Sequence, residues 1–243
     1  MWRRPQASLK RRIQTQPRNP LLAIAANVGG NFKKDRYMNK IDDNKIKWNN
    51  RAITYDKNIR TSFFRNIQSK SVDILAIKSN MTFLDLGCGT GWAVNYAFEK
   101  TNGQGTYIGV DISDNMIDIA NKKFKDIECI KFIQSSAENI NVSPNSVDRI
   151  ICTNSFHHYN DPTEVLANIK KILKTNGLFC IADVTTDSII ARFLNKLLKM
   201  TEKGHVSFYS SNQYKDMFRQ VGLKFKVTND INSIMKLHVC EKI

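Results

Sequence analysis

No apolar run in these 243 residues approaches the ~18 to 20 needed for a membrane-spanning helix, so the body of the chain is expected to be soluble. Cysteine offers little structural chemistry: Cys88, Cys129, Cys152, Cys180 and Cys240 are odd in number, scattered and without C-x-x-C spacing. That pattern argues against a zinc site or a disulfide framework, and most of the five fall in predicted strands, where cysteine is a small buried hydrophobe. Acid is nearly missing from one end. Residues 1–36 hold nine Lys and Arg against Asp35 alone, a net +8 out of +15 for the whole chain. Arginine dominates there, six to three lysines, whereas lysine dominates the rest.

Three readings of this basic segment stay open. It suits a mitochondrial presequence, with Leu21 to Val28 as its apolar stretch, although it is not serine-rich. It suits a binder of polyanions such as RNA or an anionic membrane. Or Met38 is the true start and the preceding residues are dispensable. In each case residues 1–37 are expected to be a poorly ordered extension, followed by a single domain over residues 38–243. The expected location is cytoplasmic, or mitochondrial if the extension is a presequence.

What the body does contain is concentrated at Phe83-Leu84-Asp85-Leu86-Gly87-Cys88-Gly89-Thr90-Gly91. Met81 to Leu86 reads as a buried parallel strand and Trp92 to Lys100 as the helix after it. The three glycines allow a sharp turn and close approach to a ligand. A dinucleotide fingerprint would require a glycine three positions after the second of these, and Trp92 stands there. Asp85 would repel a pyrophosphate; it can instead pair with the α-ammonium of an amino acid.

The run D-L-G-C-G-T-G resembles motif I of class I S-adenosylmethionine-dependent methyltransferases. The resemblance implies an α/β, Rossmann-like three-layer sandwich with a seven-stranded, mostly parallel sheet whose last strand is antiparallel. It also implies that S-adenosyl-L-methionine is cradled by Asp85, Gly87, Cys88, Gly89, Thr90 and Gly91. Gly105 to Asp111 reads as the next strand, and the family pattern gives Asp111 the two ribose hydroxyls, with Ile112 and Met116 beside the adenine. Met116 also suits the core of a helix over Asn115 to Lys123. The strand Cys129 to Gln134 leads into Ser135, Ser136, Ala137 and Glu138, a segment similar to the one that recognises the adenine edge. The strand Val147 to Thr153 leads into Asn154-Ser155-Phe156-His157-His158-Tyr159, resembling the part of the family that faces the methyl acceptor.

Upstream, residues 39–70 are polar and helical in pattern, with Trp48, Ile53, Tyr55, Ile59, Phe63, Phe64 and Ile67 at roughly helical spacing. They look like the helical cap of small-molecule methyltransferases, with Tyr55 and Arg60 able to reach the cofactor. Downstream, Asp161-Pro162-Thr163-Glu164 predicts a helix start, Lys174-Thr175-Asn176-Gly177 its stop, and Leu178 to Val184 a fifth strand. Ser188 to Lys203 predicts an amphipathic helix that packs on the sheet or closes the acceptor pocket, with a basic membrane-surface helix as the other reading. Ser211 to Val221, Leu223 to Val227 and Ser233 to Cys240 predict a last helix and two closing strands.

An Asn/Asp-Pro-Pro-aromatic motif and a Pro-Cys nucleophile are both lacking, which sets aside the amino and cytosine-carbon enzymes of the family. The Asn154 to His158 run resembles the group of ubiquinone and menaquinone biosynthesis methyltransferases. A small organic acceptor is the reading adopted, with His157 and His158 as candidate bases and no metal. RNA is the rival substrate, since some tRNA wobble-uridine methyltransferases carry a similar His-His pair. A noncatalytic cofactor-binding module is a third reading. Oligomeric state is not readable from these residues.

Overall fold

The computed structural model describes residues 41–57, 60–202 and 205–243, all within a compact unit spanning Asn39–Ile243. The expected basic extension and the side chain of Arg60 lie outside the described residues.

Among the described residues seven strands form one sheet: β1 (Met81–Leu86), β2 (Gly105–Asp111), β3 (Ile130–Gln134), β4 (Val147–Thr153), β5 (Leu173–Val184), β6 (Lys224–Asp230) and β7 (Met235–Glu241). Their order is β3-β2-β1-β4-β5-β7-β6. The pairs β1/β2, β2/β3, β1/β4 and β4/β5 are parallel; β7 lies between β5 and β6 and runs antiparallel to both. The chain moves from β1 outward to β3, then returns to place β4 on the other side of β1. The carboxyl ends of β1 and β4 therefore flank the point where strand order reverses, the crevice in which such sheets bind ligands.

Alternation along the strands supplies two apolar faces. Leu84, Leu86, Ile150, Phe179 and Ile181 project to one side, with Val165, Leu166 and Ile169 of α5 (Pro162–Ile172) and Tyr214 and Phe218 of α7 (Ser211–Gln220). Phe83, Ile151, Cys180 and Ala182 project to the other, with Ile67 and Val72 of α2 (Arg60–Ile74) and Ala93, Val94 and Ala97 of α3 (Trp92–Lys100). Each fully buried large side chain contributes about 1.5–3 kcal/mol, which is why a change in a central strand is felt by both layers. The remaining helices are α1 (residues 41–55), α4 (Asp114–Lys123) and α6 (Ile189–Thr201).

Local chemistry explains the helix starts. Asp161 accepts from the Glu164 N–H at 2.9 Å with Pro162 in the first turn, and Ser113 accepts from the Met116 N–H at 3.2 Å. Ser210 and Gln213 form a reciprocal capping box at α7.

Two expectations require correction. Lys174 to Gly177 is no free turn: α5 ends at Ile172 and β5 begins at once, with Leu173 opposite Val147 and Leu178 opposite Arg149. Residues 174–177 are thus accommodated as an irregularity inside the strand, where Asn176 adopts φ 62° and its N–H donates to the Lys242 carbonyl at 2.7 Å. The helix breakers were genuine; strand pairing resumed across them. In addition, Ile53 and Phe63, which fit an apolar helical spacing, are exposed.

Candidate functional site

The site grows from the β1 corner. The N–H groups of Gly87 and Cys88 both donate to the Val110 carbonyl, at 2.8 and 3.0 Å, which ties the glycine loop to β2. Gly87 has φ +80°, and a Cβ there would stand 2.2 Å from Ser155 Oγ. Only glycine lets the β1 and β4 ends approach this closely. Gly89 differs: its added Cβ would meet Tyr55 and Met116 Sδ no nearer than 3.6 Å, so the bare backbone faces a cavity.

That cavity encloses about 930 Å³, counting its open mouth. One wall comes from Leu86, Gly87 and Gly89, from Val110, Asp111, Ile112 and Met116, and from Ser135, Ala137 and Glu138. The rest comes from Ile41, Asn44, Trp48 and Tyr55 of α1, Phe64 and Gln68 of α2, Thr153 at the end of β4, and Asn154, Ser155, His158 and Tyr159 beyond it.

Two acids sit beneath it. Asp111 is held by the Gly89 N–H on Oδ2 and the Ser113 N–H on Oδ1, both at 2.9 Å. Burial raises its pKa, and these N–H donors oppose the rise. Asp85 is fully buried, and neither carboxylate oxygen has a hydrogen-bond partner. Burial, and after it the charge of Asp111, pushes its carboxyl up to about 8. An unpaired buried carboxylate is costly, so a cationic ligand group would relieve it. Tyr55 above them is pushed up to about 12, chiefly by burial and then by Asp111 and Asp85, and stays a neutral phenol.

The other sequence-predicted residues divide. Gly87, Gly89, Asp111, Ile112, Met116, Ala137, Glu138, Asn154, Ser155, Tyr55 and His158 line the cavity. Cys88 and Thr90 are buried behind it; the Thr90 hydroxyl donates to Asp56 at 2.8 Å, and Gly91 stands at the start of α3. Ser135, rather than Ser136, reaches the wall. His157 is directed away: its Nδ1 lies 2.9 Å from both oxygens of the fully buried Asp183, and its N–H donates to Asp183 at 3.1 Å. The His157 carbonyl accepts from Val206 and Ser207, so this histidine braces β5 against the segment after α6. His158 packs its ring 4.0 Å from that of His157 and edge-on to Trp48 at 5.7 Å.

The cap also holds wall residues that sequence reasoning did not assign to the site: Ile41, Asn44 and Trp48. With the predicted Tyr55 they recur at three-, four- and seven-residue steps, one face of α1, and that mixed polar and aromatic spacing was the available signal. Asn44 donates through Nδ2 to the His158 carbonyl at 3.2 Å, which fixes the amide's orientation and leaves its buried Oδ1 without a partner. The cap is fastened by polar contacts: Asn49 accepts from Ser113 Oγ at 2.6 Å and Asn115 N–H at 3.2 Å, Asp56 pairs with Lys123, and Lys47 pairs with Glu202.

A family profile described as a methyltransferase domain matches residues 77–222. The uncharacterized methyltransferase YcgJ of Bacillus subtilis is 29% identical over 139 residues, 56% of this chain and 54% of its own length. The demethylmenaquinone methyltransferase of Lactococcus lactis is 29% identical over 156 residues, 60% of this chain and 62% of its own. The matches thus span less than two thirds of either relative. A solved SAM-dependent methyltransferase from Aquifex aeolicus has the same fold, with a TM-score of 0.65 at 18% identity over 80% of this chain and 98% of that one.

Proposed function

Because the chain belongs to the methyltransferase domain family, we propose that it moves a methyl group from S-adenosyl-L-methionine to a small organic acceptor held between α1 and the carboxyl end of β4. The observation that carries this reading is Asp85, fully buried without a hydrogen-bond partner beneath the cavity and outside its lining, a carboxyl that the cofactor's ammonium would pair. Asp111 receives the ribose hydroxyls with the lone pairs its two N–H donors leave over. Ile112 and Met116 flank the adenine, and Ser135, Ala137 and Glu138 meet its edge. The Aquifex relative's dependence on the same cofactor supports this assignment.

When bound, the cofactor supplies a sulfonium-activated methyl group, so the chain's own work is alignment, which is worth several kcal/mol without a covalent residue. Trp48 gives the acceptor a flat apolar wall, and Asn44 Oδ1 takes a hydrogen bond from a hydroxyl or amide on it. Where the acceptor loses a proton, His158 is the base on the wall, and His157, locked by Asp183, positions it. The Lactococcus relative acts on demethylmenaquinone by name, which supports a small-molecule acceptor here. The RNA alternative drew on a similar His-His pair and on a net charge of +15, of which +8 falls in residues 1–36.

Titration calorimetry with S-adenosylmethionine tests the reading. The wild-type chain is expected to bind, and Asp111→Ala to lose at least about tenfold in affinity, or 1.4 kcal/mol. A folded wild-type protein that gives no heat, or an Asp111→Ala variant of equal affinity, would refute it.

A further inference from the structure

Helix α6 presents an apolar stripe that the fold does not bury. Its inward side is narrow, made by the buried Ala191 with the half-buried Leu194, Asn195 and Leu198, and Asn195 Oδ1 accepts from the Phe208 N–H at 2.9 Å. Outside, Ile189 is 81% exposed, Ile190 74%, Phe193 69%, Leu197 45% and Met200 78%. At 3.6 residues per turn these five fall on one arc of about 100°. Arg192, Lys196 and Lys199, all exposed, lie side by side along one border of that arc, and α6 contains no acid.

A monomer rarely leaves so many large apolar side chains together in water. We propose that α6 docks flat on a bilayer surface bearing anionic headgroups, its apolar arc sunk to the acyl boundary and its three cations among the phosphates. Charge selects this occupant. A second copy of α6 would bring another row of cations and no acid, and the basic residues 1–36 would bring more of the same sign. An anionic lipid surface supplies both an apolar layer and the opposite charge, the arrangement that binds interfacial amphipathic helices. Glu202, just beyond α6, pairs with Lys47 of α1, so the docked helix is joined to the cap that walls the cavity. Among the described residues no helix is long and apolar enough to cross a membrane, which makes surface attachment the mode to test.

The test is flotation of the full chain with vesicles of phosphatidylcholine alone or mixed with phosphatidylglycerol, at low and high salt, beside the double variant Phe193→Ser/Met200→Ser. Both side chains are exposed, so the variant is expected to keep the wild-type melting temperature. Wild type should float with the anionic vesicles and keep part of that binding at high salt, while the variant binds at least about tenfold more weakly. Equal binding by the variant, stripped from both proteins by salt, would assign the attachment to the basic residues 1–36 and overturn the proposal. So would a wild type that does not float, or a lipid-free dimer that the two substitutions dissolve.

Discussion

Asp85 is where one side chain sets the behaviour of the site. Its carboxyl ionises near 3.8 in an unfolded chain and about 8 in the fold. Between those values the folded state holds a proton that the unfolded state has lost, so without ligand its contribution to stability is complete below about pH 4 and is lost as pH rises toward 8. The slope is at most about 1.4 kcal/mol per pH unit. Asp85→Asn, which needs no ionisation, is expected to flatten that decline and to be more stable than wild type at pH 8, while binding S-adenosylmethionine far more weakly. Urea unfolding at pH 5 and pH 8 with calorimetry on the same samples checks both halves; a variant that is less stable at pH 8 and still binds would show that the buried charge has another partner. Gly87 marks the opposite case, a residue whose worth is the atom it lacks, since a Cβ there would stand 2.2 Å from Ser155 Oγ.

At the scale of elements, hydrogen bonds and ion pairs fasten α1 over the cavity. Asn49→Ala removes two acceptor contacts to the start of α4, each worth about 0.5–1.5 kcal/mol. We expect cofactor affinity to fall by up to about tenfold with little change in global unfolding, measured by calorimetry and by thermal melts; a large fall in melting temperature with unchanged affinity would count against a cap role. The same scale shows what was legible in the sequence. Strands β1, β2 and β4 could be read directly, because each is a short, largely apolar run with the length and burial expected of a strand in a parallel sheet. The start of β5 could not: Lys174 to Gly177 carries true stop chemistry, and the pairing that overrides it is with Val147, far away in the chain. Asn44 and Trp48 escaped because their use depends on where α1 lands, and His157 because Asp183 turns it aside. For α6 the periodicity predicted an amphipathic helix, but a period cannot say whether the stripe meets protein or something else.

For the whole molecule, the sheet is the member that both layers share. Leu237 on β7 is buried in the core formed with α2 and α3, while Cys240 on the same strand faces the core of α5 and α7. Leu237→Ala is therefore expected to cost about 2–5 kcal/mol and to lower the unfolding transitions of tryptophan fluorescence and far-UV circular dichroism together. A fluorescence transition left in place while the circular dichroism signal shifts would mean that the two layers unfold separately. The position of β7 has a further consequence in time. During synthesis β6 leaves the ribosome before the strand that will sit between it and β5, so it has no sheet neighbour to join, and the apolar edge of β5 waits uncovered for the length of two helices and a strand. The nascent chain can assemble its first five strands first, but that part of the sheet carries an open border until the last strand is threaded in, and an unpaired edge of this kind is where a growing chain is exposed to wrong pairings.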